Sequence, residues 1–144
     1  MKPNMLDILK EVGDIDFSVA PDVTVFKAAP LMKKNHGAVA VMDGGKLVGI
    51  FTERDCLNKV ILAGLSPDKT LVKEMMTRKV TFAAPDITPG KALDIMTENN
   101  VRHLPIIEND KVLGMVYIFE LVKTIIHEQK KLISHLTEYI ELSY

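Results

Sequence analysis

The sequence predicts an α+β fold: two copies of one β-α-β-β-α unit packed as a single pseudo-twofold domain, followed by a C-terminal helix. Two recurrences carry that prediction. Ala20-Pro21-Asp22-Val23-Thr24 returns as Ala84-Pro85-Asp86-Ile87-Thr88, and Lys46-Leu47-Val48-Gly49-Ile50 returns as Lys111-Val112-Leu113-Gly114-Met115. Between them Lys27, Ala28, Met32 and Asn35 recur as Lys91, Ala92, Met96 and Asn99. The offset is 64 up to Asn35 and 65 from Lys46 onward. That period is longer than those of solenoid arrays, so the chain is a tandem pair. At about 60 residues neither unit can cover a three-stranded sheet alone, so the two must complete each other.

In the second copy Val80-Thr81-Phe82 reads as a short strand closed by Pro85-Asp86. Thr88 is the N-cap of the next helix, and Pro89 takes the first helical position, where its missing N–H costs nothing. Ala92, Leu93, Ile95 and Met96 share one face of that helix. Leu104–Ile107 and Lys111–Val116 form a hairpin around Asn109-Asp110. The first copy follows the same plan, with Thr24 capping a helix that carries Ala28, Leu31 and Met32. Pro30 lies inside it, and an interior proline costs about 3 kcal/mol, so a kinked, broken or shortened helix is expected. Val39–Met42 and Lys46–Phe51 flank the strong turn signal Asp43-Gly44-Gly45. Leu65–Thr70, after a helix stop at Gly64, joins the halves. The resulting division is residues 10–64, residues 71–126 and a helical extension over 127–144.

Composition narrows the function classes. With 18 basic and 19 acidic residues well mixed, the chain lacks the basic excess of a nucleic-acid binder. No apolar run approaches a membrane span, and Met1–Lys10 lacks a basic-then-apolar signal segment. The lone Cys56 excludes an intramolecular disulfide, which suits a cytoplasmic protein. It reads as a packed thiol rather than a reactive one. No Gly-rich phosphate loop, Ser-His-Asp set or nucleophile elbow is present, so an enzyme is not expected. The histidines show no metal-ligand spacing; His127 and His135 read as a solvated helix face. The eight methionines read as core and cleft filler.

Gly49-Ile50-Phe51-Thr52-Glu53-Arg54-Asp55 carries a Gly-hydrophobic-hydrophobic-Thr-x-x-Asp pattern after the second hairpin strand. Arg102-His103-Leu104-Pro105-Ile106-Ile107 is a basic pair leading into a strand. With the duplicated plan and the lead-in Leu71-Val72-Lys73-Glu74-Met75-Met76-Thr77, these segments resemble a cystathionine-β-synthase (CBS) domain pair, or Bateman module. The resemblance covers roughly residues 10–126. It implies a non-enzymatic regulatory module that binds an adenosyl compound (AMP, ADP, ATP, NAD or S-adenosylmethionine) between its repeats, with no obligatory cofactor. It also implies dimerisation.

By the same resemblance, Thr52 and Asp55 would hold ribose hydroxyls, and Arg102 and His103 the phosphate. A carboxylate can accept from both ribose hydroxyls through charge-assisted bonds. The same Thr-x-x-Asp pattern is also a capping box, and one pair can serve both purposes. Arg102 and His103 can equally be a solvated surface pair. The second cleft departs from the pattern: Tyr117 replaces the threonine and Glu120 the aspartate. Gly37-Ala38 stands where Arg102-His103 would be, with His36 just before. One competent site is therefore expected, with the Tyr117/Glu120/His36 cleft weak, blocked or differently used.

Past Ile126 the repeat ends but helical patterning continues. Val122, Ile125, Ile126, Leu132, Ile133, Leu136, Tyr139 and Ile140 form an apolar stripe, with Lys130, Lys131, Glu138 and Glu141 off it. Two readings remain at this stage, a helix docked on its own chain and a helix paired across a dimer. They bear on two functions: a nucleotide sensor relaying through a dimer or partner, and an interaction scaffold with vestigial pockets acting through this helix.

Overall fold

The computed structural model describes residues 3–13 and 15–142, so the last two residues of the 127–144 extension lie outside the described residues. Helix α1 (Met5–Val12) precedes β1 (Ser18–Val19), α2 (Val25–Lys34), β2 (Ala38–Asp43) and β3 (Lys46–Thr52). A single turn α3 (Glu53–Asp55) runs on as a π-helical segment over Cys56–Ile61. Then come α4 (Val72–Met75), α5 (Pro89–Asn99), β4 (His103–Glu108), β5 (Lys111–Tyr117) and the long α6 (Ile118–Leu142).

The two hairpins are near-copies. Each is antiparallel with one bulge, at Val41/Met42 and at Ile106/Ile107. Each closes on two residues of positive φ, Gly44-Gly45 in one and Asn109-Asp110 in the other. That geometry matches the strand twist and explains why these residue types stand there. The helix caps also agree with the sequence: Thr24 and Thr88 each accept from the backbone N–H three residues on, at 3.2 Å.

Two expectations are corrected. Helix α2 is neither broken nor stopped at Pro30. Phe26 and Pro30 both face solvent, where water can serve the Phe26 carbonyl that proline leaves unpaired. Val25, Ala28 and Met32 bury the opposite face. The second correction is at Val80–Phe82, which is not a strand. In the first repeat β1 pairs with β2 in parallel through Ser18 and Val19. In the second only Ala83 bridges to Ile106, leaving a two-stranded sheet. Thr77 is pinned to Ile50 and Ala83 to Ile106, so the residues between must cross from one half to the other.

There are two apolar cores, and each takes a segment from outside its own repeat. Val72 and Met76 of the lead-in pack with Val25, Met32, Val41, Phe51 and Val60. Met5 and Ile8 of α1, an element the sequence reading did not anticipate, pack with Met96, Leu104, Ile106, Val116 and Leu121. The backbone bonds that hold the two segments match one for one. Val72 N–H donates to the Val23 carbonyl and Lys73 N–H to that of Pro21; Met5 N–H donates to Ile87 and Leu6 N–H to Pro85. Gly49 and Gly114 occur where these segments cross the sheets. A Cβ at Gly49 would lie 2.5 Å from the Met76 sulfur and 3.0 Å from the Thr77 carbonyl oxygen; one at Gly114 would lie 2.8 Å from Leu9 Cδ2.

Candidate functional site

At the end of β3, Thr52 and Asp55 form a complete capping box. Asp55 N–H donates to Thr52 Oγ1, and Thr52 N–H donates back to Asp55 Oδ2, both at 3.1 Å. The buried carboxylate has further partners. Thr77 Oγ1 donates to it at 3.0 Å, and Lys59 Nζ lies 3.0 Å from Oδ1.

The equivalent position on repeat 2 is built differently. Glu120 Oε2 accepts from Tyr117 N–H at 3.1 Å, which keeps one half of the box; the tyrosine has no hydroxyl near the backbone to supply the other half. Thr124 replaces Lys59 one turn on. Matching the lead-in segments by their shared backbone bonds puts Lys10 where Thr77 stands. Helix α1 also continues to Val12, whereas α4 ends at Met75 and its chain then lies along β3 through the Ile50–Thr77 bridge. At the first cleft that strand-like crossing sets Thr77 against Asp55, and at the second there is an opening.

The opening is a cavity of about 740 Å3. Its wall includes Glu120, Tyr117, His36 and His103, with Lys10 and Lys34 supplying cations and Ile15, Phe17, Leu113 and Met115 an apolar side. Four residues singled out in the sequence therefore meet here, and they came from both expected sites. Thr52 and Asp55 meet each other. Arg102 is exposed, and its carbonyl accepts from Ile118 N–H at 2.9 Å. Lys10, Lys34, Phe17 and Ile15 were missed because they lie in the lead-in, at a helix end and in a loop, outside any motif.

Aromatic contacts order the floor. The His36 and Tyr117 rings stack at 4.3 Å with planes 6° apart, His103 tilts against Tyr117 at 4.9 Å, and Phe119 meets it edge-on at 5.2 Å. His36 adopts φ 60, a left-handed conformation that non-glycine residues seldom take. It follows the α2 cap at Asn35, whose carbonyl accepts from His103 Nε2 at 2.9 Å. That bond requires a proton on Nε2.

Burial is the main cause holding the His103 imidazole below its ordinary value; the Asn35 bond opposes the shift, and His36 and Arg102 add to it. Burial also raises the Glu120 carboxyl, against the Tyr117 N–H bond and the His36 and Lys123 charges. The native state thus protonates His103 less readily than the unfolded chain does. Stability from the neutral ring is present above the ordinary value of 6.5 and declines as pH falls below it. Glu120 acts in the opposite sense, its contribution being lost as pH rises through its raised value. Urea unfolding of the parent and of His103→Gln between about pH 7.5 and pH 5.5 separates the two. The parent loses more stability on acidification than the variant; equal slopes would remove His103 from the account.

Cys56 is half-buried, and burial, then Glu53, raises its thiol, which disfavours the reactive thiolate. Among the described residues no group of three His, Cys, Asp or Glu side chains is placed to hold a metal ion. No helix among them is long and apolar enough to cross a membrane.

The family model for the CBS domain matches residues 9–62 and 72–127. The mitochondrial CBS domain-containing protein CBSX3 of Arabidopsis thaliana is 36% identical over 129 residues, covering 85% of this chain. The chain spans 63% of that protein's length and about a fifth of two other plant relatives. A CBS-domain containing protein of Agrobacterium tumefaciens has a solved structure with a TM-score of 0.76 at 34% identity, covering 83% of this chain and 97% of that one. A CBS domain protein of Pyrobaculum aerophilum complexed with AMP, at 19% identity and a TM-score of 0.69, covers 81% and 88% and shows likeness of fold alone. Two family-model matches, one on each repeat, and the likeness of fold agree, and this chain belongs to the CBS-domain family as a tandem pair.

Proposed function

We propose that the chain is a non-enzymatic regulatory module that binds an adenosyl compound between its repeats and relays that event through a dimer or a partner protein. The ligand class is AMP, ADP, ATP, NAD or S-adenosylmethionine. One observation carries this reading: an acceptor carboxylate, Glu120, opens onto a cavity whose volume suits a nucleotide-sized molecule. Glu120 takes the ribose hydroxyls, the Ile15, Phe17 and Met115 side takes the base, Lys10 and Lys34 supply charge for phosphate, and His36 offers it a ring N–H. The AMP complex of the Pyrobaculum protein supports the ligand class. In this reading the clefts divide their roles. Thr52 and Asp55 fasten the lead-in to repeat 2, and the Tyr117/Glu120 cleft takes the ligand.

Calorimetric titration and thermal shift with the five compounds test it. A ligand at 100 times its Kd adds about 2.7 kcal/mol of stability. Glu120→Ala should weaken binding at least about tenfold, the loss of one charge-assisted bond. Asp55→Ala should lower stability yet leave affinity unchanged. The reverse pattern would return the ligand to Thr52 and Asp55, with Arg102 and His103 on its phosphate. Silence with all five compounds would leave the interaction scaffold, which the exposure of α6 beyond Glu128 favours.

A further inference from the structure

We infer that residues 129–142 of α6 pair antiparallel with the same segment of a second copy of this chain. The first part of α6 packs on α1 and α5 and sends Leu121 into a core. From Gln129 to Leu142, about 21 Å of helix, every residue is exposed, with Leu132 and His135 bordering a groove against Thr88 and Pro89. Leu132 is 58% exposed, Ile133 63%, Leu136 53% and Ile140 55%. These four share one face of the helix, and none of them is buried by the described residues of their own chain. Fourteen residues of solvated helix are marginal in water without a packed face.

The charges select the occupant and its direction. The segment carries Lys130 and Lys131 near its start and Glu138 and Glu141 near its end. Lys130 and Glu141 are eleven residues apart, three turns, and flank the same edge of the apolar stripe. A twofold axis through the Leu136 level brings Lys130 of each copy beside Glu141 of the other. Leu136 then faces its own counterpart, and the opposed helix dipoles attract. A membrane surface would instead select a uniformly basic polar face, which two glutamates against two lysines do not provide.

This pairing does not rest on the adenosyl reading, and nucleotide titrations of a monomeric variant keep the two separate. Sedimentation velocity of the full chain should give twice the 16.1 kDa protomer mass at about 100 µM. Leu136→Glu, which sets two carboxylates face to face at an exposed position, should give a monomer with unchanged circular dichroism. Lys130→Glu should weaken the dimer by about fivefold or more, and adding Glu141→Lys in the same chain should restore it. A monomeric parent, a dimeric Leu136→Glu chain, or a Lys130→Glu/Glu141→Lys chain no tighter than Lys130→Glu would each overturn the proposal.

Discussion

Ile8→Ala will destabilise the chain by about 3 kcal/mol, although the residue lies eight positions from the start of the sequence and outside both repeats. Ile8 is 2% exposed and packs in the core of the second repeat with Met96, Leu104 and Leu121. Truncation removes its transfer free energy and leaves a cavity that the surrounding sheet and helices fill only partly. The melting temperature should fall by roughly 10 °C. Urea unfolding with an unchanged m-value is the direct measure. Glu11→Ala, on the exposed side of the same helix, is the control and should change stability by less than about 0.5 kcal/mol. A loss below about 1 kcal/mol at Ile8 would mean that α1 is not held in that core.

Asp55→Ala will cost about 2–3 kcal/mol through a different mechanism. Its buried carboxylate accepts from the Thr52 N–H and the Thr77 hydroxyl, and truncation leaves both donors without their acceptor. The Lys59 contact adds little, because that ammonium is 44% exposed and water screens the pair. Glu120→Ala should cost clearly less, since the Tyr117 N–H loses its acceptor beside an open cavity where water can replace it. A double-mutant cycle of Asp55→Ala with Thr77→Ala isolates the bond between them. Coupling of about 1 kcal/mol is expected, and additive effects would show that Thr77 does not fasten the lead-in.

Most of the fold is legible along the chain because its signals are local. Gly44-Gly45, Asn109-Asp110, Thr24, Thr88 and Pro89 each fix a few dihedrals through their own chemistry. The departures come from tertiary context. Pro30 is tolerated because its ring faces solvent, and Val80–Phe82 do not pair while Thr77 and Ala83 on either side are tied to different hairpins. The candidate site follows the same rule. Comparing Thr52/Asp55 with Tyr117/Glu120 looks for competence inside the motif. The two clefts also differ outside the motif, in Thr77 against Lys10 and in one lead-in that leaves its helix early and one that does not. Those segments share a pattern of backbone bonds rather than residues, so the repeat offset does not reveal their equivalence.

The exchanged lead-in segments also set a schedule for biosynthesis. Met5 belongs to the same core as Leu121, so α1 has no finished partner until both repeats that follow it have been translated. At ordinary rates of about 5–20 residues per second, α1 waits on the order of ten seconds outside the ribosome. The first repeat, by contrast, needs only the nearby Val72 and Met76 to complete its own core. The first repeat can therefore close early, while the second holds a place for a helix made before either of them.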